Sequence, residues 1–428
     1  MKILLINPNA FRNPPCIPVG LEYVADALER SGNSVHVMDM CYEDSPLERL
    51  KQTIGAEHFD FAGVTIRNID TSQAARYVNF MPEIKAVVEE LHGAGLKVVL
   101  GGSGFSGMTE RIMQFTGADF GIRGPADRAI QKLCQEVKNG NLSGRIISGW
   151  ELGIDPEVVP RRAVHINYAP YIEGGGIVGF ATQYGCPERC LYCLEAGTAL
   201  LHRRPAAVAE ELRSLHAQGF THYHLCDSEF NHDLKFCVDV LREIADMKLD
   251  IRWTLYMKPV PFGKDLLMWL KLAGVYLITL SVDSAAASAS GGRYCWDDVA
   301  FVVRCCHERG IKLAIDLVVG MPGEPLHSVR QAIEFFRRER PECVNVNAWL
   351  RVYDGTHLEA LLRTQPDLQA HLSDPLPPAP PLEQRVFYNH IDIEQLRDMI
   401  GGDAIFKLEG FDPGTNYEVI REKTGINI

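Results

Sequence analysis

The stretch GIVGFATQYGCPERCLYC, residues 176–193, carries the strongest structural signal in this chain. Its first half has the uninterrupted apolar pattern of a buried strand, and it runs directly into Cys186, Cys190 and Cys193. Pro, Glu and Arg separate the first two cysteines, which makes the segment a polar loop and disfavours three thiols packed as small core side chains. Clustered thiols of this kind predict a metal centre at the end of a strand.

Two kinds of metal centre could use these thiols. A tetrahedral structural zinc site needs four ligands, and the nearest fourth ligand in the sequence is His202. A cubane iron–sulfur cluster normally takes four thiolates, so three thiolates would leave one iron open to a ligand that is not protein. An open coordination position after a barrel strand is typical of a catalytic site, which favours the cluster.

Composition limits the other possibilities. A chain of 428 residues with 46% hydrophobic side chains can bury at least two cores. A formal charge of -12 argues against nucleic-acid binding, which needs clustered positive charge. We find no apolar run long enough to span a membrane, and the first residues are too soon polar for a secretory signal, so we expect a cytoplasmic protein. Twelve cysteines are too few for a secreted disulfide scaffold of this length.

Strand and helix patterns alternate along the chain in two series. The first series, from KILLINP to GRIISG, predicts an α/β domain with a doubly wound sheet of the Rossmann or flavodoxin type. The second contains six strands, each but the last followed by a helix, and predicts a partial (β/α)6 barrel of the TIM type. The proline-rich PLPPAPPLEQ then indicates an extended linker before a small C-terminal extension. The predicted boundaries are residues 1–150 for the first domain, 151–172 for a linker, 173–374 for the barrel and 375–428 for the linker and extension.

The cysteine spacing, with an aromatic residue before the last cysteine, resembles the radical S-adenosylmethionine superfamily. The resemblance implies that Cys186, Cys190 and Cys193 bind a [4Fe-4S] cluster and that S-adenosylmethionine chelates the open iron. It also implies reduction by an external electron donor of the flavodoxin or ferredoxin type. An electron from the reduced cluster then cleaves the sulfonium and generates a 5'-deoxyadenosyl radical.

Later strand ends resemble the superfamily's S-adenosylmethionine site. CDSEF resembles the turn that meets the methionyl ammonium, LSVDSA the ribose-binding edge, and VVGMPGEP a turn that lets backbone approach the adenosine. Each could also be an ordinary strand-to-helix loop. The implied S-adenosylmethionine contacts are Tyr192, Asp227, Ser228, Glu229, Ser281, Asp283, Gly320, Pro322, Gly323 and Glu324.

Three segments of the first series resemble the cobalamin-binding domain that precedes the barrel in many of these enzymes. They are INPNAFRNPPCIPVGLEYVADAL, GVTIRNIDTSQ and VVLGGSGFSGMTE. Small residues after a strand suit a flat corrin, although LGGSGFS could equally be a simple turn. The implied cobalamin contacts are Pro18, Gly20, Thr65, Arg67, Asn68, Gly101, Gly102, Ser103, Gly104, Phe105 and Gly124.

The chain departs from the cobalamin pattern at two places. The Asp-x-His-x-x-Gly signature is absent, so we expect cobalamin without a protein histidine on cobalt and place Arg67 at the lower face. Alternatively, Arg67 pairs with Asp70 or Asp119 as a surface charge. In addition, RGPADRAI stands where the family usually has Gly-Glu-Gly-Glu, which puts any contact by the family's first glutamate in doubt.

Together the resemblances imply a cobalamin-dependent radical methyltransferase. It would move a methyl group from S-adenosylmethionine, through methylcobalamin, to an unactivated carbon of a small molecule or natural-product intermediate. The alternatives are a non-methylating radical enzyme of the same architecture, for example a cyclase or mutase, and a non-enzymatic iron–sulfur protein. No residue is assigned as catalytic. Strand-end positions make four residues substrate candidates, although they could instead cap the barrel: Tyr256, Lys258, Arg351 and Tyr353.

Overall fold

A computed structural model describes residues 1–140, 144–289, 292–374 and 387–412. The chain forms two compact units. The first unit comprises Met1–Thr71, Asn79–Glu188 and Leu194–Phe220, and the second comprises Ser72–Val78, Arg189–Cys193 and Thr221–Ile428. The predicted proline-rich linker at residues 375–384 lies outside the described residues, and the linear domain boundaries stay a prediction.

The first unit contains a six-stranded parallel sheet in the order β2-β1-β3-β4-β5-β6. The order changes direction between β1 and β3, and open sheets of this kind bind ligands at the carboxyl ends of the strands near such a point. Its elements are β1 Lys2–Asn7, α1 Val19–Arg30, β2 Ser34–Asp39, α2 Pro46–Ala56, β3 Phe61–Thr65, α3 Met81–Gly93, β4 Val98–Gly101, α4 Ser103–Gly107, α5 Thr109–Thr116, β5 Phe120–Arg123, α6 Asp127–Asn139 and β6 Ile146–Ser148.

The pattern of burial explains why these strands form. β1 and β3 are almost wholly buried, as expected for a parallel sheet covered by helices on both faces. The helices are amphipathic, and α1 packs Leu21, Ala25 and Leu28 into a core shared with the strands. The first unit also contains α7 Gly149–Leu152, α8 Ala169–Glu173, β7 Val178–Phe180, the antiparallel pair β8 Gln183–Tyr184 and β9 Leu201–His202, and α9 Pro205–Ala217.

A buried group of charges links three separate segments of the first unit. Arg162 is 2% exposed and donates to Glu22 Oε2 at 2.8 Å and to Glu211 Oε1 at 2.5 Å. Its other terminal nitrogen donates to the hydroxyl of Tyr168 at 2.9 Å, and that hydroxyl donates to Glu22. Arg203 donates to the second oxygen of Glu211 at 2.6 Å. Every charge in this group therefore has an opposite charge beside it, as burial requires.

The second unit is built on six parallel strands in the order β18-β14-β13-β12-β11-β10. Helices follow most of these strands in the chain. The elements are β10 His222–Leu225, α10 Leu234–Asp246, β11 Arg252–Met257, α11 Lys264–Leu272, β12 Val275–Asp283, α12 Ser284–Ser288, α13 Trp296–Arg309, β13 Lys312–Val318, α14 Leu326–Glu339, β14 Cys343–Asn347, β15 Leu350–Arg351, α15 His357–Thr364, β16 Leu372–Ser373, β17 Phe387–Tyr388, α16 Ile393–Ile400 and β18 Phe406–Leu408.

The C-terminal extension, whose fold the sequence patterns left open, completes this unit. β15, β17 and β16 form a small antiparallel sheet, and α16 leads into β18. β18 pairs in parallel with β14, so that Lys407 lies beside Asn345. The extension therefore adds a strand to the barrel sheet. The sequence did not predict this strand, because three residues are too few to show a strand pattern.

The two faces of this sheet differ in polarity. Alternate residues such as Ile278, Leu280 and Ile315 are fully buried and apolar. The residues between them are polar and, because register is preserved across the parallel strands, lie on the opposite, inner face. We call these residues the polar strip: Tyr256, Thr279, Ser281, Asp316, Asn345 and Lys407.

None of the helices in the described ranges is long and apolar enough to span a membrane.

We expect Arg162→Met to destabilise the protein by about 3–5 kcal/mol, because it leaves the buried Glu22 without its cation and Glu211 with Arg203 alone. The measurement is chemical unfolding followed by circular dichroism. Arg161→Met is the matched control, since Arg161 pairs with Asp26 and Glu29 but its side chain is 58% exposed. The control should cost less than about 1 kcal/mol. Equal losses in the two variants would contradict the assignment of the buried group.

Candidate cofactor sites

The loop between β8 and β9 carries all three predicted cluster cysteines. In the first unit, the backbone N–H of Cys186 donates to Thr198 Oγ1 at 2.8 Å, and the N–H of Thr198 donates back to the carbonyl of Cys186 at 3.0 Å. Gly185 has a φ of +87°, and a Cβ there would collide with the carbonyl of Ala199. The loop is therefore held at its base by backbone contacts that only glycine permits.

The part of the loop in the second unit is fixed by separate contacts. The N–H of Cys193 donates to the carbonyl of Cys190 at 3.2 Å, and Leu191 accepts a hydrogen bond from the N–H of Leu358 at 2.8 Å. Tyr192 packs against an apolar cluster that includes Met321. Burial raises the pKa of the Tyr192 phenol well above its usual range, so this ring is a neutral packing group.

The donor set fits an iron–sulfur cluster. Cys190 and Cys193 are half-buried and none of the three cysteines is in a disulfide, which leaves three thiols for a soft metal centre. In the described part of the chain, no three His, Cys, Asp or Glu side chains converge as they do around a single ion. A cubane does not need such convergence, because each thiolate binds a different iron. His202, the possible zinc ligand, lies in β9 opposite Gln183.

The predicted ammonium-binding residues follow β10 directly. Asp227 is 5% exposed, while Ser228 and Glu229 are half-buried. The turn is supported by Asn231, which is fully buried and which the sequence patterns did not single out. Its amide donates to the carbonyls of Lys258 and Pro261 at 2.9 and 2.7 Å. Asn231 therefore ties the end of β10 to the end of β11.

The predicted ribose-binding residues lie at the end of β12. Asp283 accepts a hydrogen bond from the N–H of Ala286 at 3.1 Å and so caps α12. Burial raises the pKa of the Asp283 carboxyl. Ser281 is half-buried in the polar strip, in register with Asp316. One carboxylate oxygen of Asp283 is thus used within the protein, and Ser281 lies on the inner face.

Glu324 organises the turn after β13 with its carboxylate. One oxygen accepts from the N–H groups of Gly320 and Met321 at 2.7 and 3.2 Å. The other accepts from the hydroxyls of Ser284 and Ser328 at 2.5 and 3.0 Å. These four hydrogen bonds make Glu324 a positioning residue rather than a direct contact of S-adenosylmethionine.

The two glycines of the same turn differ in their surroundings, since Gly320 is buried against Ile391 and Gly323 is exposed. Gly320 and Gly323 have φ values of +80° and +82°, and Pro322 lies between them. A Cβ on Gly323 would meet no atom within 4 Å. The backbone of the turn is therefore accessible to a ligand at Gly323, as expected for close approach to a nucleoside.

In the first unit, the predicted cobalamin residues gather where β3 and β4 end. Ser103 Oγ donates to the carbonyl of Arg67 at 2.8 Å. A Cβ on Gly102 would lie 2.5 Å from the carbonyl oxygen of Ile66, and one on Gly104 would lie 3.0 Å from that of Arg67. The glycines thus let the loop after β4 pack closely on the loop after β3. The predicted residues that remain accessible at this edge are Thr65, Arg67, Asn68, Gly101, Gly102 and Ser103.

Three of the predicted cobalamin contacts are covered by other parts of the protein. Phe105 is fully buried against Gly121 and is a core residue, so it is not available to a corrin. Gly124 has a φ of +85° and makes room for the indole of Trp150, which covers it. Pro18 is buried before α1, where its carbonyl accepts the first hydrogen bonds of the helix. The neighbouring Gly20 is exposed, with open space around it.

Arg67 does not form the surface ion pair with Asp70 or Asp119 that the sequence left open as an alternative. Asp119 is held by Lys97 at 2.7 Å and by His92 at 2.9 Å. Among the residues that the structure describes, the exposed Arg67 guanidinium forms no ion pair. A cation at the carboxyl edge of the sheet is therefore accessible to a ligand there, and the small residues beside it fit a flat, bulky ring.

Two of the four substrate candidates serve the packing of the second unit. Arg351 is 6% exposed, and its guanidinium lies 4.5 Å from the ring centre of Tyr353. The hydroxyl of Tyr353 shares a hydrogen bond of 2.7 Å with Ser72. Arg351 and Tyr353 thus match the alternative of a structural cap. Tyr256 lies on the inner face, and the backbone of Lys258 is held by Asn231.

Comparisons with known proteins identify two domains in this chain. The model of the B12 binding domain matches residues 12–134, and that of the radical SAM superfamily matches residues 180–336. A tryptophan 2-C-methyltransferase from Streptomyces laurentii is 27% identical, over 78% of this chain and 69% of that protein.

Solved structures with a similar fold include two enzymes that use cobalamin. The radical S-adenosylmethionine methyltransferase TsrM from Kitasatospora setae, with cobalamin and a [4Fe-4S] cluster bound, has a TM-score of 0.80 and 26% identity, over 85% of this chain and 75% of that one. The cobalamin-dependent radical enzyme OxsB has a TM-score of 0.72 at 11% identity, over 94% of this chain and 66% of that one, which is a likeness of fold alone.

The chain belongs to the cobalamin-dependent radical S-adenosylmethionine enzymes. Within that class it is a C-methyltransferase. The predicted fold class and the three predicted cofactors, a [4Fe-4S] cluster, S-adenosylmethionine and cobalamin, are confirmed. The assignment of individual residues to those cofactors stays a prediction.

We expect Cys186→Ala, Cys190→Ala and Cys193→Ala each to lose most of the iron and sulfide of the anaerobically purified protein, because two thiolates cannot hold a cubane. Cys226→Ala is the control, since Cys226 is an exposed cysteine that lies outside the loop. Full iron content in any of the three loop variants would contradict the assignment.

We expect Glu324→Ala to weaken S-adenosylmethionine binding by roughly tenfold or more, because the turn loses four hydrogen bonds. Glu324→Gln should lose less, since the amide keeps the shape and one acceptor oxygen. Isothermal titration of the reconstituted proteins measures the affinity. Unchanged affinity in a folded Glu324→Ala variant would show that the turn does not position the nucleoside.

Proposed function

We propose that this enzyme methylates an unactivated carbon of an amino acid with an aromatic ring, with tryptophan as the first compound to test. The observation that carries this proposal is the likeness to TsrM over both domains, and one TsrM structure, 27% identical to this chain with a TM-score of 0.80, contains tryptophan and a S-adenosylmethionine analogue. The curated relative is named for the same substrate.

The inner face of the barrel sheet supports a polar small molecule as the substrate. Tyr256 lies in register with Thr279, and Asp316 with Asn345, which in turn lies beside Lys407. Carboxylate, amide and ammonium groups on one face offer partners to both the ammonium and the carboxylate of an amino acid. Asn345 Nδ2 also donates to Glu409, whose second oxygen accepts from Gln73 at 3.0 Å.

The polar strip also contains a buried hydroxyl that lacks a hydrogen-bond partner among the described residues. Thr279 is fully buried, and in the described part of the chain its Oγ1 has no hydrogen-bond partner. A buried hydroxyl without a partner costs free energy unless a water or a ligand satisfies it. We infer that a polar group of the substrate, directly or through one water, meets Thr279.

The protein's part in the reaction is to bind and orient its cofactors and substrate. When bound, the cluster and S-adenosylmethionine supply an electron path and a methyl donor, and cobalamin carries the methyl group. Cys186, Cys190 and Cys193 would hold the cluster, while the turn shaped by Glu324 presents its backbone to the nucleoside. In the other unit, Arg67 would lie toward cobalamin with no histidine ligand on cobalt.

We further propose that an external electron donor of the flavodoxin or ferredoxin type reduces the enzyme. Arg189 and Arg293 are exposed, and each lies close to Cys190, the first in sequence and the second in space. Such donors are commonly acidic, and opposite charges steer their encounter. The predicted absence of a nucleic-acid partner and the cytoplasmic location stay predictions.

The decisive experiment uses anaerobically reconstituted enzyme with cobalamin and S-adenosylmethionine labelled in the methyl group. We expect labelled product from tryptophan, detected by mass spectrometry with the label on carbon. Consumption of S-adenosylmethionine without label in any product, across a panel of aromatic amino acids, would overturn the proposed substrate class. Release of 5'-deoxyadenosine with an unmethylated, rearranged product would indicate the non-methylating alternative.

Thr279→Val tests the position of the substrate, because valine keeps the shape and removes only the hydroxyl. We expect stability to be unchanged or raised and KM for the substrate to rise, with little change in kcat. Thr254→Val is the matched control. Thr254 is also fully buried, but its hydroxyl shares a hydrogen bond of 3.0 Å with His224, so this variant should lose about 1 kcal/mol of stability. An unchanged KM in Thr279→Val would place the substrate elsewhere.

A further inference from the structure

We propose that Arg293 is a positioning residue for the iron–sulfur cluster, whose guanidinium donates a hydrogen bond to the Cys190 sulfur and raises the reduction potential of the cluster. The observation is a distance of 3.5 Å between Arg293 Nη1 and Cys190 Sγ. The two residues are separated by about a hundred positions in the chain, so no local pattern brings them together. This inference rests on cluster binding and not on the identity of the substrate.

The backbone that follows Arg293 is anchored. Tyr294 is 8% exposed, and its hydroxyl accepts from the N–H of Asp283 at 2.7 Å. Cys295 is the N-cap of α13, and its N–H donates to Asp298 at 2.8 Å. The Arg293 side chain is itself exposed, yet it starts from a fixed point next to the loop that carries Cys190. Its contact with the sulfur is therefore a consequence of tertiary structure rather than of a freely moving side chain.

A hydrogen bond to a cluster thiolate has a definite electrostatic effect. Metal binding deprotonates the thiol, so the sulfur becomes a charge-bearing acceptor. A donor and a positive charge stabilise the reduced cluster, which carries one more negative charge, over the oxidised cluster. The guanidinium remains charged at any pH at which the protein is folded, so the contribution does not titrate away.

Arg189 provides a matched control within the same loop. It precedes Cys190 directly and is exposed, like Arg293. Within the described ranges, however, its guanidinium forms no hydrogen bond or ion pair. Arg189→Gln therefore removes a positive charge close to the cluster without removing a hydrogen bond to a cluster sulfur. A comparison of the two substitutions separates the hydrogen bond from the general effect of charge.

The test is a redox titration of reconstituted enzyme without S-adenosylmethionine, followed by electron paramagnetic resonance. Iron and sulfide contents are measured first, so that a failure to bind the cluster is recognised as such. We expect Arg293→Gln to lower the midpoint potential and Arg189→Gln to lower it less. Arg293→Lys, which keeps the charge and a donor but loses the planar geometry, should fall between Arg293→Gln and the unmodified protein.

Two results would overturn the proposal. Equal shifts in Arg293→Gln and Arg189→Gln would show that only the charge matters. An unchanged potential in Arg293→Gln, combined with weaker S-adenosylmethionine binding in a parallel titration, would assign Arg293 to the carboxylate of that ligand instead. Because the potential is measured on the cluster alone, neither result depends on whether tryptophan or another compound is methylated.

Discussion

The shortage of thiolates at the cluster is the constraint on which the rest of the structure depends. A cubane has four irons, and the loop after the first barrel strand offers three cysteines. The fourth iron is left for a ligand other than a cysteine, and the family resemblance implies that this ligand is S-adenosylmethionine. That ligand needs strand ends that present accessible backbone and polar groups on one side. The second unit supplies them at β10, β12 and β13, because the carboxyl ends of parallel strands meet at one edge of the sheet.

Much of the polar chemistry at these strand ends is used to hold the protein in shape. Glu324 accepts four hydrogen bonds from its own turn and from α12 and α14, and Asp283 caps α12. Asn231, fully buried, ties two strand ends together. A carboxylate or amide in a motif is thus as often the support of a ligand site as its direct contact. What remains accessible is the backbone of the glycine turn and the hydroxyls of the inner face, which suits a nucleoside and a small polar substrate.

The two units differ in how far their buried polar groups are satisfied. In the first, Arg162 and Arg203 balance the charges of Glu22 and Glu211. This network joins α1, the segment before β7 and α9. Such a group resists rearrangement, because removing one member leaves an uncompensated charge in a medium of low dielectric. In the second, the polar strip lies on the inner face of a barrel, where Thr279 still has an unsatisfied hydroxyl among the described residues. The first arrangement gives rigidity, and the second leaves capacity for binding.

The sequence by itself determined the local features of this protein. The spacing of Cys186, Cys190 and Cys193, the alternation of strands and helices and the glycine-rich turns all lie within short stretches of sequence. The alternation predicted the fold class, and the resemblance of the motifs to a known family implied the cofactors and the enzyme class. Tertiary structure alone decided that Phe105 is core, that Arg351 and Tyr353 pack on each other, that β18 brings Lys407 beside Asn345, and that Arg293 reaches Cys190. Each of these depends on contacts between residues far apart in the chain, and the burial or register that creates them exists only once the chain has closed on itself.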